Sequence, residues 1–298
     1  MLHHTLDTPQ DPARVVVLGA RGFIGAALVE ALTAAGTPVL APGSNELDLG
    51  AADAADTLAG MLRPDDSLVV LAALTPDKGR DIATLMRNLR MGEAVCGAVG
   101  RVPVAHVVYM SSDAVYPFTT GRVTEETPAA CTDLYGVMHR TREIMFESAV
   151  KGPLAILRST LVYGAADTHN SYGANRFRRL ALKDGKITLG GGGEETRDHL
   201  FVDDAVAVLM ALLRRRTAGL ANLATGRSVT FDELARMVAA QCTPPAEVIH
   251  TPRTSPVTHR HFDVTALHKA FPEFRFTPLE EGVARVHRQV AGQATGQG

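Results

Sequence analysis

The amino-acid sequence predicts an α/β fold, a doubly wound parallel sheet with a smaller C-terminal lobe. Short apolar runs alternate with segments whose apolar residues recur every three or four positions, as when strands alternate with helices. The runs lie at residues 15–18, 38–40, 68–72, 104–110 and 154–157, and the helical segments at residues 23–35, 51–62, 82–99 and 134–150. Because the runs are continuous rather than alternating, we expect strands that are covered on both faces. Right-handed crossovers then place their carboxyl ends at one edge of the sheet.

A change of rhythm near residue 164 predicts where the lobe begins. A loop rich in glycine and asparagine leads there into a basic segment. We expect a strand at residues 219–224 to return to the main sheet. The predicted division is residues 1–165 for the sheet domain, residues 196–228 completing its sheet, and residues 166–195 and 229–298 for the smaller lobe.

The composition is that of an ordinary globular protein. The 298 residues are 46% hydrophobic and 21% charged with a formal net charge of −2, which argues against disorder and gives no reason to expect nucleic acid as a partner. The longest apolar segment, residues 205–213, is too short to cross a bilayer, and no signal peptide is recognisable. We therefore expect a cytoplasmic protein without a membrane partner.

Cysteine and histidine positions predict neither a disulfide framework nor a metal site. The three cysteines are widely spaced and form no CxxC pattern, so we expect reduced packing residues. The histidines toward the C-terminus follow no ligand motif, and no metal is expected. These residues are Cys96, Cys131, Cys242, His250, His259, His261 and His268.

The most informative single motif joins the first strand to the first helix. Gly19, Gly22 and Gly25 allow a tight turn, close approach of the backbone to a pyrophosphate, and close packing of the helix on the strand. The free N–H groups and the dipole of the helix N-terminus favour an anion. The spacing GxxGxxG predicts dinucleotide binding, with a purely structural strand-turn-helix unit as the alternative.

Candidate catalytic residues follow in two later segments. Ser112 lies where the fourth apolar run leaves the sheet, at the edge that the glycine turn also reaches. Tyr135 and His139 lie at the start of a helical segment, one turn apart on one face.

Five blocks together resemble the extended short-chain dehydrogenase/reductase family, specifically its NAD(P)-dependent nucleotide-sugar epimerases, dehydratases and 4-keto reductases. The blocks are residues 19–25 (GARGFIG), 111–116 (SSDAVY), 135–139 (YGVMH), 197–204 (RDHLFVDD) and 222–228 (NLATGRS). The resemblance implies a Rossmann-type fold and hydride transfer between a nicotinamide cofactor and a sugar carbon. It implies Tyr135 as general acid/base and Ser112 as hydrogen-bond partner of the substrate oxygen. It also implies a homodimer formed through the helices at residues 82–99 and 134–150.

His139 departs from the family pattern, which has lysine at this place. In the family that lysine holds the nicotinamide ribose, and its charge lowers the pKa of the tyrosine. Histidine can also hydrogen-bond a ribose hydroxyl, but an imidazole with an ordinary pKa of about 6.5 is mostly neutral at pH 7 and acidifies Tyr135 less. Two interpretations are open: His139 holds the ribose in an active site, or it is a helix-surface residue in a degenerate one.

The end of the second strand favours NADP as the cofactor, with NAD as the alternative. Residues 40–44 lack the acidic residue with which NAD-preferring units bind the ribose hydroxyls. Ser44 and Arg21 instead suit a 2′-phosphate, and some NADP-dependent members of the family, including the GDP-fucose synthases that this stretch resembles, have arginine at the Arg21 position. A solvated surface charge is the other interpretation of Arg21.

The resemblance implies further contacts to the cofactor. Asp48 and Leu49 would flank adenine, the end of the third strand would line the cofactor, and Asn88 would face it from a long helix. Core packing is the alternative for the aliphatic residues, and satisfaction of backbone groups is the alternative for Asn88. The complete expected set is Gly19, Arg21, Gly22, Phe23, Ile24, Gly25, Ser44, Asp48, Leu49, Leu71, Ala72, Ala73, Asn88, Tyr135 and His139.

Substrate contacts are implied at Ser112, Asp113, Asn175 and Arg197. The forked, permanently charged guanidinium of Arg197 stands where family members hold a nucleotide-sugar phosphate. Asp113 occupies the place of the dehydratase acid, but the family's following glutamate is Ala114 here, so epimerisation or reduction is favoured over dehydration. A turn-capping carboxylate is the alternative interpretation of Asp113.

We therefore expect an NADP-dependent epimerase or 4-keto reductase that acts on a nucleotide-activated sugar. Leu161 stands where many epimerases place an asparagine that contacts the substrate, so the identity of the sugar does not follow from the resemblance. Two other functions are open: a non-catalytic dinucleotide-binding protein, suggested by the missing lysine, and a reductase of small carbonyl compounds.

Overall fold

A computed structural model describes residues 1–118, 121–167 and 173–295. The strands are β1 (Arg14–Leu18), β2 (Val39–Leu40), β3 (Asp66–Val70), β4 (His106–Ser112), β5 (Arg122–Val123), β6 (Leu154–Ser159), β7 (Leu161–Tyr163), β8 (Lys186–Gly190), β9 (Thr196–Phe201), β10 (Gly219–Leu223), β11 (Ser228–Thr230), β12 (Glu247–Thr251) and β13 (His261–Phe262). The helices are α1 (Phe23–Ala34), α2 (Ala54–Met61), α3 (Ile82–Arg101), α4 (Leu134–Ala149), α5 (Ala174–Asp184), α6 (Val202–Arg215), α7 (Phe231–Ala239), α8 (Thr265–Ala270) and α9 (Leu279–Thr295). A short 3-10 helix spans Asp113–Val115.

The main sheet has six parallel strands within the described residues, in the order β10-β6-β4-β3-β1-β2. The predicted doubly wound α/β fold is therefore confirmed, and the strand expected at residues 219–224 is β10, which pairs with β6. The strand order reverses at β1, which lies between β2 and β3. In such sheets ligands bind at the carboxyl ends of the strands beside this reversal.

Both faces of the sheet are covered, as the continuous apolar runs predict. Along β1, Val15 and Val17 belong to a cluster with α1 and α6, whereas Val16 and Leu18 belong to a cluster with α2, α3 and α4. Alternate side chains of one strand thus enter two cores. Phe146 packs α4 onto the second core and is fully buried.

A third apolar cluster lies beyond the carboxyl edge of the sheet. It joins β8, β9, α5, α7 and α9 and contains Phe177, Ile187, Leu234 and Val283. Only part of the segment after residue 229 belongs to this cluster. Strand β13 pairs with β5, and Leu267 of α8 packs in the cluster that contains α1 and α6. We propose that the smaller lobe consists of the elements around this third cluster, with β13 and α8 assigned to the sheet domain.

No helix in the described part of the chain is long and apolar enough to span a membrane.

Candidate active site

The glycine turn brings backbone and helix N-terminus together without side chains between them. Gly19 has φ of +89°, and a Cβ on it would lie 2.7 Å from the backbone nitrogen of Ala72 at the end of β3. A Cβ on Gly25 would overlap the carbonyl oxygen of Gly19. Gly22 is the N-cap of α1, which has no side-chain cap. The uncapped helix end suits an anion such as a pyrophosphate, and the glycine cradle fits a dinucleotide.

A cleft of about 830 Å³ opens along the carboxyl ends of β1, β3, β4 and β6. Most of the expected site residues line it: Gly19, Gly22, Phe23, Ile24, Gly25, Leu71, Ala73, Asn88, Ser112, Asp113, Tyr135, His139, Asn175 and Arg197. Five do not: Arg21, Ser44 and Asp48 are exposed outside this lining, Leu49 is buried in the second core, and Ala72 packs against that core.

Tyr135 reaches the cleft because of how α4 begins. The carboxylate of Asp133 caps the helix by accepting hydrogen bonds from the N–H groups of Tyr135 and Gly136, at 2.9 and 3.0 Å. Gly136 lies so close to Ala114 that a Cβ there would overlap the Ala114 carbonyl. The helix start is thus packed directly against the turn that follows Ser112. Tyr135 and Ser112 consequently line the same cleft.

Ser112 and Asp113 are fixed by the short 3-10 helix. The hydroxyl of Ser112 accepts a hydrogen bond from the N–H of Ala114 at 3.1 Å. The side chain of Asp113 is only 18% exposed. Burial raises the pKa of the Asp113 carboxyl, and the charges of Arg260 and Arg197 oppose that rise. The Asp113 carboxylate therefore lies near the guanidinium groups of two arginines that also line the cleft.

His139 is buried rather than on the helix surface, with 3% of its area exposed. Its Nδ1 lies 2.7 Å from the hydroxyl of Tyr109, and its ring stands edge-on to Tyr135 with 4.6 Å between the centroids. Burial, assisted by the charge of Arg142, lowers the pKa of His139 to about 3. The imidazole is therefore neutral at pH 7. Within the described residues its Nε2 has no hydrogen-bond partner.

Two expected polar residues use their side chains within the protein. Asn88 accepts from the N–H of Leu74 at 2.8 Å and donates to its carbonyl at 3.0 Å, which fixes the loop after β3. Asn175 accepts from the N–H of Gly164 at 3.3 Å and donates to the carboxylate of Asp167. Both side chains border the cleft while holding its walls.

Arg197 also lines this cleft. Its guanidinium donates to the carbonyls of Thr196 and Thr258 at 2.8 and 2.9 Å and to the hydroxyl of Thr258 at 2.6 Å. It also lies over the ring of Phe118, 4.8 Å from the ring centroid. These contacts fix the direction of the guanidinium at the cleft wall.

Arg260 lines the cleft as well, although no sequence pattern predicts it there. It is 3% exposed, lines the cleft, donates to the carbonyl of Asp113 at 2.8 Å and lies over Phe118 at 4.4 Å. The ring of Phe118 is thus shared by the guanidinium groups of Arg260 and Arg197. Arg260 lies outside every block of the family resemblance, and the sequence around it carries no recognisable signal.

Two residues behind the cleft wall, Tyr109 and Glu143, were also not expected, although a signal for them exists. Tyr109 and Ser111 are two positions apart on one face of β4, and His139 and Glu143 are four apart on one face of α4. The strand face packs against the helix face residue by residue: Ser111 donates to Glu143 at 2.7 Å, and the hydroxyl of Tyr109 hydrogen-bonds His139. Glu143 also accepts two hydrogen bonds from Arg158, at 2.9 and 2.7 Å. Comparing the two-residue period of β4 with the four-residue spacing on α4 would have predicted that these two faces pack together.

The guanidinium of Arg21 lies beside Gly43, in the loop that follows β2. A Cβ on Gly43 would overlap its guanidinium. The carboxylate of Glu46, the first acid after the strand, accepts the N–H of Gly43 at 2.8 Å. Glu46 therefore closes the loop after β2.

Within residues 1–118, 121–167 and 173–295, no group of three or more His, Cys, Asp or Glu side chains could hold a metal ion.

Residues 15–224 match the model of the NAD dependent epimerase/dehydratase family. The chain belongs to this family and is an enzyme of the extended short-chain dehydrogenase/reductase type with an NAD(P) site.

Individual relatives agree with this assignment. The chain is 25% identical to dTDP-L-rhamnose 4-epimerase of Burkholderia thailandensis, over 94% of this chain and 96% of that protein. It resembles the solved structure of UDP-N-acetylglucosamine 4-epimerase from Methanobrevibacter ruminantium M1 with a TM-score of 0.83 and 20% identity, covering 95% of this chain and 100% of the other. It also resembles the solved structure of RMD from Pseudomonas aeruginosa, complexed with NADPH, with a TM-score of 0.82 and 21% identity, covering 94% of this chain and 99% of the other. At these identities the two structures show the shared fold.

Proposed function

We propose that this protein is an NADP-dependent epimerase or 4-keto reductase of a nucleotide-activated sugar. The observation that carries the proposal is the single cleft that contains the glycine cradle, Ser112, Tyr135 and Arg197. Hydride transfer on a sugar nucleotide requires a dinucleotide site, groups that bind the reacting oxygen and a group that binds phosphate, and all of these candidates line this one cleft.

The cofactor would be held along β1 and β3. The uncapped start of α1 at Gly22 receives the pyrophosphate, and the end of β3 with Leu71 and Ala73 borders the nicotinamide half. When bound, a nicotinamide cofactor supplies the hydride acceptor or donor.

Tyr135 and Ser112 would handle the reacting oxygen of the sugar. Ser112 would donate its hydroxyl hydrogen to this oxygen, while its own oxygen accepts the N–H of Ala114. Tyr135 takes or returns the proton of the same oxygen as general acid/base. His139, being neutral, offers a hydrogen bond but no positive charge to favour the phenolate form of Tyr135. Turnover should therefore rise with pH above neutrality.

Arg197 and Arg260 would hold the diphosphate of the substrate. Both guanidinium groups line the same end of the cleft and share the ring of Phe118. Two arginines place permanent positive charge where two phosphates can bind. Two of the similar proteins act, by name, on dTDP- and UDP-sugars, which supports this class of substrate.

Arg21 supports NADP over NAD. Its guanidinium lies beside Gly43 in the loop after β2, and the first carboxylate after that strand, Glu46, accepts the N–H of Gly43. Similar structures contain either NADPH or NAD, and the position of Arg21 is the local feature that supports NADP in this proposal.

A homodimer through α3 and α4 is also proposed. Large apolar side chains are exposed on the two helices or directly at their starts: Ile82, Met86, Leu134, Val137 and Ile144. Sedimentation of the purified protein should give a species of twice the chain mass, and a monomer at all concentrations would contradict the interface.

The test of the proposed function combines a cofactor titration with a panel of nucleotide sugars and their 4-keto derivatives. NADPH should bind more tightly than NADH, and a clear preference for NADH would overturn the NADP proposal. A 4-keto reductase consumes NADPH, so the NADPH absorbance falls during turnover. An epimerase interconverts sugars without net consumption of NADPH, so the absorbance stays constant. Cofactor binding without turnover across the panel, small aldehydes and keto acids included, would support the non-catalytic alternative. Turnover of the small carbonyl compounds alone would instead identify a carbonyl reductase.

A further inference from the structure

A buried tyrosine, Tyr109, lies directly behind His139. This residue belongs to β4 and is 1% exposed. Its ring packs against the ring of Phe146, with 4.7 Å between the centroids. The Tyr109 hydroxyl lies 2.7 Å from Nδ1 of His139. Burial raises the pKa of Tyr109, so this hydroxyl keeps its proton. Within the described residues Nδ1 of His139 is the hydrogen-bond partner of the Tyr109 hydroxyl, so the buried O–H is satisfied by donating to Nδ1, which then accepts.

The other nitrogen of His139 then carries the ring proton. A neutral imidazole has one N–H and one acceptor nitrogen, and the partner of one nitrogen decides the state of the other. With Nδ1 accepting, Nε2 becomes the donor. Within the described residues this Nε2 has no acceptor, although the side chain lines the cleft beside Tyr135. Leaving such an N–H unpaired is costly, which points to an acceptor supplied by a ligand.

Arg142, one turn further along α4, disfavours the imidazolium form. Its guanidinium is fully buried, lies 5.1 Å from the centroid of the Tyr109 ring, and donates to the carbonyl of Ala72 at 2.9 Å. The neighbouring carboxylate of Glu143 is occupied by Ser111, Arg158 and Arg140. A permanent positive charge near the ring raises the free energy of a second cation there.

We propose that Tyr109 is a positioning residue: it holds His139 as the neutral Nε2–H tautomer, and this N–H donates to a ribose hydroxyl of the nicotinamide cofactor. The proposal rests on the proposed cofactor site. In this arrangement His139 retains the hydrogen bond of the family's lysine and dispenses with its charge. Tyr109 itself contacts neither cofactor nor substrate and acts through His139.

The tautomer can be read directly by nitrogen NMR of the full-length protein with isotope-labelled histidine, which distinguishes Nδ1–H, Nε2–H and imidazolium forms. The His139 signals are assigned by their loss in His139→Asn. In the native protein we expect the Nε2–H pattern, unchanged from neutral to mildly acidic pH. An Nδ1–H or imidazolium pattern would overturn the proposal without any variant having to fold.

The variant Tyr109→Phe removes only the hydroxyl and keeps the ring. We expect a mixture of His139 tautomers and a cofactor dissociation constant raised about fivefold, corresponding to one weakened hydrogen bond. Ser111→Ala is the matched control, because it removes the adjacent hydrogen bond between the same strand and helix. It should leave the His139 tautomer unchanged. A pure Nε2–H pattern with unchanged affinity in Tyr109→Phe would refute the role of Tyr109.

The two proposals fail separately. If no dinucleotide binds to the native protein, the proposed function fails, while the tautomer of His139 is still measured. If a dinucleotide binds and turnover occurs but His139 carries its proton on Nδ1, only the role of Tyr109 fails.

Discussion

Acid should destabilise this protein through histidines that are buried in their neutral form. Burial is the main cause that lowers the pKa of His106 to about 4 and the pKa of His139 and His199 to about 3. In the unfolded chain the same imidazoles have a pKa of about 6.5. Below pH 6.5 the unfolded state therefore binds protons that the native state does not, and the free energy of unfolding falls as the pH falls.

The size of the effect follows from these pKa values. At pH 5, protonation stabilises the unfolded chain by about 2 kcal/mol for each such histidine, while native His139, with a pKa of about 3, gains almost nothing. The carboxyl of Asp198 acts in the opposite direction, because burial raises its pKa to about 6 and its native form takes up a proton first. Comparing variants that all retain Asp198 cancels this contribution.

The assay is denaturant unfolding at pH 7 and pH 5 of the native protein, His139→Asn and His106→Gln. Asparagine keeps an acceptor near Tyr109, and glutamine keeps a donor for the carbonyl of Thr217, which Nε2 of His106 contacts at 2.8 Å. In each variant the loss of stability between the two pH values should be about 2 kcal/mol smaller than in the native protein. An equal loss in His139→Asn and native protein would refute the burial of a neutral His139.

Three other substitutions test separate parts of the site. Gly25→Ala places a methyl group on the backbone of the glycine turn and should abolish cofactor binding in a fluorescence titration, whereas Gly60→Ala, which meets open space, should bind normally. Arg21→Ala should weaken the binding of NADPH about tenfold and leave the binding of NADH unchanged, as expected for a lost charged contact. Equal weakening of NADPH and NADH binding would exclude a contact to the 2′-phosphate. Glu143→Gln leaves the buried charge of Arg158 without its carboxylate and should cost about 3–5 kcal/mol in denaturant unfolding, and a loss below about 1 kcal/mol would show that the pair is solvated.

The sequence was sufficient for the elements that periodicity and glycine punctuation define. The strand around Val16, the helix after Gly22 and the strand at the edge of the sheet were all expected, because buried parallel strands and the tight turn leave local signals. The second helix begins later than expected, at Ala54 rather than residue 51. The carboxylate of Asp48 accepts the N–H of Gly50 at 2.9 Å and holds the preceding residues in a turn.

The candidate site was only partly predictable, because several of its residues depend on contacts distant in sequence. Arg260 reaches Asp113 from 147 residues away, and no local pattern announces that approach. The neutrality of His139 was expected from its ordinary pKa, but its burial against Tyr109 and Arg142 depends on how β4 and α4 pack.

Substitution of Tyr135 by phenylalanine tests the central claim most directly. The change removes one hydroxyl from a side chain that lines the cleft beside Ser112 and His139. Once a nucleotide-sugar substrate has been identified, Tyr135→Phe should bind NADPH normally and lose at least about a hundredfold in kcat, the contribution of a positioned general acid/base. Full activity in Tyr135→Phe would contradict the account of this site.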